Sequence, residues 1–239
     1  MTSQARNSEE ALLVVLYCCS SAAKSRSVVK WSSRADLPSL IIRLEQRPSI
    51  ARECLGWLEA PGQDFFWATL AFANLPGINL AGSELFGASM FEVDLSGANL
   101  SSTTLVRADL ENANLTEADL ESANLERANL EHANLGQSNL VRANFRGANL
   151  TNANLEWANL EHANLERTNL KGAHLEGAYL VQIRGLDKAH GLGEVRSWEG
   201  AQIERKWVER LGLDAEALGL EVVDDLDEEE PAPPTAPQA

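Results

Sequence analysis

Residues 108–127 read ADLENANLTEADLESANLER, four copies of one five-residue unit with nothing added or lost between them. Followed in both directions, the beat runs without a slip from Leu70 to Leu180: 23 returns of a large apolar residue, all leucine except Met90 and Phe145. Two places before each return stands a small residue, alanine in 17 cases, and between the two stands Asn or Asp, again in 17. A repeat this regular outranks other local signals, because any core built from it must repeat as well.

A period of five suits neither common secondary structure. On an α-helix each step turns about 500°, so the leucines would spiral over every face, and on a strand an odd step alternates sides. One core forms only if the chain turns a corner in every unit, so that each leucine and the alanine two places earlier point to a common axis. Four corners close the turn, giving about 20 residues per coil and about six coils at ~4.8 Å each, a rod ~28 Å long. Leucine layers are then expected to fill the axis, with Asn and Asp stacked at the corners and bonding the neighbouring backbones, as short polar side chains do in turns. Such a solenoid is quasi-one-dimensional and needs covered ends.

The A-(D/N)-L-x-x unit, as in Ala123-Asn124-Leu125-Glu126-Arg127, resembles the pentapeptide-repeat family. The resemblance implies a mainly β protein, a right-handed quadrilateral parallel β-helix, here with small helical N- and C-terminal regions. It says less about activity, since the family includes gyrase-protecting DNA mimics of the quinolone-resistance type, cyanobacterial regulators and secreted bacterial effectors.

Charge divides the 239 residues unevenly: +1 over residues 1–65, −7 over 66–185 and −9 over 186–239, a net −15. An acidic chain is a poor non-specific nucleic-acid binder, because that binding runs on basic charge. The three cysteines, Cys18, Cys19 and Cys54, lie outside the repeats without metal or disulfide spacing, as expected in a reducing, cytoplasmic setting. The apolar stretch Ala11–Ala23 is too short to span a bilayer, and Glu9 and Glu10 precede it where a secretion signal needs positive charge.

The chain thus divides into 1–65, a helical cap or small adaptor domain; 66–183, the repeat body; 184–223, a helical cap; and 224–239, a disordered acidic, proline-rich tail. Helices are expected from Ser8, near Asp36 and from Ser49, the last carrying Ile50, Cys54, Leu55 and Leu58 before Pro61-Gly62 ends it. Phe72, Phe86, Phe91 and Val106, at normally outward positions, mark where the N-terminal unit would pack. A helix is expected over 198–211, its stripe of Ile203, Trp207, Val208 and Leu211 covering the last coil or pairing two rods as a homodimer.

The two outward residues of each unit hold whatever the rod recognises. An acidic face is expected from Glu111, Glu126, Glu131, Glu156, Glu161, Glu166 and Glu176, and a protein-binding belt from Gln137, Val141, Arg142, Arg146, Thr151 and Trp157. Trp157 is the expected anchor, tryptophan being enriched in binding hot spots. Duplex DNA of the rod's length carries on the order of 16 charges. The repeats carry 14 carboxylates, but seven basic residues among them compensate in part. Catalysis is not expected, nor any cofactor or metal: His132 and His162 lie one and a half coils apart, His174 replaces an Asn and should make its hydrogen bonds, and no phosphate-cradling glycine motif is present. The expected function is a non-enzymatic protein-interaction scaffold, with no membrane contact. The family resemblance adds an alternative, a DNA-mimicking modulator of DNA gyrase that protects the enzyme from its poisons.

Overall fold

The computed structural model describes residues 61–62 and 65–225, together with the backbone of two short strands, β1 (Val29–Lys30) and β2 (Leu58–Glu59), which pair in parallel. Leu58, expected on a helix, is therefore in a strand. The other N-terminal helices, the three cysteines, Ala11–Ala23 and the tail from residue 226 lie outside the described residues.

From residue 65 onward the chain passes over itself every four units. Parallel bridges join Thr69 to Ser89, Asn74 to Asp94, Asn79 to Asn99 and Glu84 to Thr104, and the spacing of 20 repeats up to the Asn164–Arg184 bridge. Each unit makes the same backbone bonds to the next coil. Leu70 N–H donates to Ser89 C=O (2.7 Å), Phe72 N–H to Phe91 C=O (2.8 Å), and Ser89 N–H donates back to Ala68 C=O (2.8 Å). The buried backbone is thus satisfied although no side is longer than a few residues.

The bend lies at the two residues after each leucine. Leu70 C=O accepts from Ala73 N–H (3.1 Å), and Phe72, third of the four, has φ 63°. This is the type II turn pattern, with positive φ at the third position. The Asn/Asp positions are therefore at the middle of each flat side, not at the corners as expected. Their bonds differ from expectation too. Asn124 Oδ1 accepts from Glu126 N–H two residues on (3.1 Å), holding the turn, and also accepts from Asn144 Nδ2 (3.0 Å), its counterpart in the next coil. Asn129 Nδ2 donates to Asp109 Oδ1 (3.1 Å), Asn149 Nδ2 to Asn129 Oδ1 (3.2 Å) and Asn169 Nδ2 to Asn149 Oδ1 (3.4 Å).

Leucine and alanine fill the axis as expected: every repeat leucine from Leu70 to Leu180 is buried, with Met90 and Phe145 in the same column. Where a hydroxyl replaces alanine it is satisfied by backbone. Thr103 Oγ1 donates to Leu100 C=O (2.6 Å) and Ser138 Oγ to Leu135 C=O (2.7 Å), which keeps a buried polar atom inexpensive. The register also starts one unit earlier than the leucines show, because Phe65 is buried in phase with Leu70.

Beyond Leu180 the ladder continues. Asn169 pairs with His190, His174 with Ser197, and strand β3 (Tyr179–Leu180) with β4 (Gln202–Glu204), which in turn pairs with β5 (Glu221–Val223), all in parallel. The extra residues are absorbed in short 3-10 turns at Leu186–Lys188 and Leu192–Glu194. Gly185 and Gly191 begin them at φ 74°, and a Cβ on either would meet the backbone of Glu166 or Lys171 at under 3 Å. Only glycine fits both the angle and the approach. The longest column, 79–99–119–139–159–179–202–221, has seven steps, or ~34 Å.

The C-terminal helix is shorter than expected: α1 spans Arg205–Leu211, and residues 202–204 are strand. Ile203 and Trp207 are buried, and Val208 and Leu211 pack half-buried against the same core, so the stripe expected to pair two rods is taken up within the chain. A second helix, α2 (Ala215–Leu218), is capped by Asp214, whose carboxylate accepts from Ala217 N–H (3.1 Å). Asp224, placed at the start of a disordered tail by its composition, pairs instead with Arg205 (3.2 Å).

If leucine columns carry the stability, Leu140→Ala will cost about 3 kcal/mol and its neighbour Val141→Ala under about 0.5 kcal/mol in urea unfolding of the full chain. Equal costs would show that Leu140 is not a core residue.

Candidate functional site: the outward corners of the rod

From residue 106 onward the turn residues form four corner ladders. The first holds 111–112, 131–132, 151–152 and 171–172; the second 116–117, 136–137, 156–157, 176–177 and 199–200; the third 121–122, 141–142 and 161–162; the fourth 106–107, 126–127, 146–147 and 166–167. Five residues along the chain therefore mean a quarter turn around the rod.

That geometry divides the expected binding belt. Gln137 and Trp157 share the second corner, Val141 and Arg142 sit on the third, Arg146 on the fourth and Thr151 on the first. No flat partner meets all six. Thr151 is also committed to the amide ladder: its hydroxyl donates to Asn149 Oδ1 (2.6 Å) and accepts from Asn169 Nδ2 (2.8 Å). The expected acidic face is divided likewise, with Glu111 and Glu131 on the first corner, Glu156 and Glu176 on the second, Glu161 on the third, and Glu126 and Glu166 on the fourth.

Three corners each bring an arginine or lysine against at least one of their carboxylates. On the fourth, Arg146 lies between Glu126 (3.9 Å) and Glu166 (3.8 Å), and Lys188 reaches Glu166 (3.4 Å), an alternating column. On the third, Arg142 faces Glu121 (3.7 Å) and His162 faces Glu161 (3.5 Å). On the first, Glu111 and Glu131 each accept an Asn Nδ2–H (3.2 Å), and Lys171 pairs with Glu194 (2.8 Å). The hydrogen bond to Glu194, and then its charge, raise the Lys171 pKa above the ordinary lysine value. Apart from Lys171–Glu194 these pairs are long, and pairs so open to solvent contribute little to stability.

The second corner differs. Glu156 has only His174 nearby (Nδ1 at 3.8 Å), and Glu176 and Glu199 have no cation within 4.0 Å among the described residues. His174 thus contacts a carboxylate and shows no Asn-like amide bond. Beside these acids Trp157 is 58% exposed, its indole lying across Gly177 in the next coil, where a Cβ would sit 2.4 Å from a ring carbon. Tyr179, two residues beyond Gly177, is 41% exposed. Trp157 was legible as an outlier in a polar series; Tyr179 occupies an Asn position and was passed over.

A second aromatic surface lies at the start of the rod. Phe66, Trp67 and Phe72 are 55%, 67% and 65% exposed. Trp67 meets Phe86 edge-on (5.3 Å), Phe72 meets Phe91 likewise (5.5 Å), and Arg107 lies over the Phe86 ring (6.0 Å). Phe66 and Trp67 were missed because the register was counted from Leu70 and not from Phe65.

His132 and His162 stand on opposite corners, the first and the third. Among the described residues no group of three or more His, Cys, Asp or Glu is arranged to hold a metal ion, and no helix is long and apolar enough to cross a membrane.

A coil of A-(D/N)-L-x-x units with these turns defines the class. The family model for pentapeptide repeats matches in eight copies over residues 64–97, 94–131, 128–167 and 148–184, about half of the chain, and the chain belongs to that family, whose members fold as right-handed β-helices. Among solved structures it is similar to trypsin-treated QnrB1, a plasmid-mediated fluoroquinolone resistance protein, at 19% identity over 65% of this chain and 89% of that one, TM-score 0.48. It is also similar to HetL, a pentapeptide repeat protein involved in heterocyst differentiation regulation from the cyanobacterium Nostoc sp. strain PCC 7120, at 26% identity over 60% and 86%, TM-score 0.22. A third likeness is to a pentapeptide repeat protein of the Arabidopsis thaliana thylakoid lumen, at 34% identity over 41% and 61%, TM-score 0.28. No curated protein sequence matches the chain.

Gly177→Ala will cost about 1–2 kcal/mol, because alanine pays for the left-handed conformation and displaces the indole. In a double-mutant cycle with Trp157→Ala, the costs will fall short of additive by about 0.5 kcal/mol or more in urea unfolding. Strict additivity would mean that the ring does not rest on Gly177.

Proposed function

We propose that the protein is a non-catalytic, cytoplasmic protein-interaction scaffold: a right-handed quadrilateral β-helix over residues 66–183 whose end is closed by 184–223, with residues 1–65 as an N-terminal cap or adaptor. The observation that carries this reading is the fixed placement of outward side chains on type II turns, each locked by backbone bonds to the next coil. A partner meeting such a surface finds it already ordered, so little entropy is lost on binding. Family members are generally non-enzymatic repeat proteins, in keeping with this role. The exposed aromatics Phe66, Trp67 and Phe72 mark where the N-terminal unit, as cap or adaptor, would meet the rod.

DNA mimicry against gyrase is the second reading. The arginine and lysine pairs on three corners weaken it, since a mimic needs a continuous run of unpaired negative charge at DNA density.

Gyrase supercoiling with the purified full chain, with and without a fluoroquinolone and across a salt series, decides between the two. The scaffold reading expects no inhibition and no protection at concentrations well above the enzyme's. Salt-sensitive inhibition or protection would replace it with mimicry.

A further inference from the structure

The four corners of the rod treat their glutamates differently, and the difference falls where exposed aromatic surface is concentrated in the C-terminal half. On the second corner Glu156, Glu176 and Glu199 follow one another in successive coils. Like charges at a coil spacing of ~4.8 Å repel. Each of the other corners carries an arginine or lysine against one of its carboxylates: Lys171 on the first, Arg142 on the third and Arg146 on the fourth. Here Arg196, in the same coil as Glu199, makes no ion pair among the described residues.

Alongside the acids the other outward position runs Trp157, Gly177, Gly200. The two glycines leave the coil surface without side chains beyond the indole, and Gly200 lies against Gly177 itself. Tyr179 borders this shelf on the next side of the rod. The result is two exposed aromatics, Trp157 on the glycine floor of the corner and Tyr179 on the adjoining side, edged by Glu176 and Glu199, which have no cation within 4.0 Å among the described residues.

We propose that this strip docks a lysine- or arginine-bearing segment of a partner protein, with Trp157 and Tyr179 receiving the cations on their ring faces and Glu176 and Glu199 pairing with the neighbouring charges. The occupant follows from charge complementarity: aromatic faces attract cations, and the unpaired carboxylates add to the attraction at the same place. The acidic tail of the chain is excluded as occupant by its own charge. The inference rests on the scaffold reading and names the chemistry of the partner for one of its corners.

The test uses the full-length protein and a fluorescein-labelled hexa-arginine peptide, read by anisotropy at about physiological salt, where exposed charges more than ~8 Å apart are screened. Trp157→Ala and the double change Glu176→Gln/Glu199→Gln are expected to weaken binding about fivefold each, with Trp157→Phe retaining most of it. Glu121→Gln/Glu161→Gln, which removes the same charge from the third corner, is expected to change affinity less than about twofold. The proposal is overturned by absence of binding to the unaltered protein, by equal affinity in the second-corner variants, or by an equal loss in the third-corner control, which would mean general attraction to an acidic chain. Urea unfolding of each variant separates loss of the surface from loss of the fold. Failure here with no effect on gyrase leaves the scaffold reading standing with another surface; an effect on gyrase removes the scaffold reading itself.

Discussion

The structure depends on one closed cycle of backbone hydrogen bonds. In each unit the leucine N–H and the N–H of the second turn residue both donate to the following coil, and the Asn/Asp N–H donates to the preceding one. This cycle demands a residue in the left-handed region every five positions. Arg107, Asn112, Glu117, Ser122 and Arg127 all adopt it, with φ between 57° and 59°. Non-glycine residues do so at a cost of about 1–2 kcal/mol each. The cost is offset because the same turn aims every leucine at the axis and satisfies buried backbone on all four sides. Neither gain is available to a shorter piece of the chain, which is why stacked repeats cooperate.

The amide ladder is a second, directional layer on that cycle. Asn144 shows the full pattern: it gives its Nδ2–H to Asn124 in the coil before it and offers Oδ1 to Asn164 in the coil after it and to Arg146 N–H in the turn it precedes, so one side chain stitches three places at once. Aspartate has no proton to give, so it accepts from the amide of the next coil, as Asp94, Asp109 and Asp119 do from Asn114, Asn129 and Asn139, and passes nothing to the coil before. The chain of amides from Asn129 to Asn169 starts on Asp109 in this way. The alternation of Asn and Asp in the sequence thus has a structural meaning besides charge.

Much of this was legible from sequence because parity and period leave little freedom. Once leucine recurs every fifth residue and must face one axis, a bend in each unit and four units per coil follow. Period alone does not say where in the unit the bend falls, and the Asn positions were misplaced from the sides to the corners for that reason. The ends were less legible for a related reason. Leucine phase is broken by the insertions after Leu180, but the backbone ladder needs only parallel N–H and C=O groups, and it continues to Val223 through two glycine-initiated turns. The binding belt was misjudged by treating neighbours in sequence as neighbours on a face, when each unit carries the chain a quarter turn round the rod.

The same quarter turn determines how such a rod can evolve a site. A substitution at an outward position alters one corner and leaves the other three untouched, because the core and the ladder use none of the outward side chains except where Ser, Thr or Glu joins an amide. Four faces can then diverge independently on one scaffold. The contrast between the alternating Glu126–Arg146–Glu166–Lys188 column and the unrelieved Glu156–Glu176–Glu199 column is what independent divergence produces. A purely structural rod gains nothing from leaving one column uncompensated next to an exposed tryptophan. A rod that presents one corner to a cationic partner requires it, since charge neutralised within the rod is no longer available to the partner.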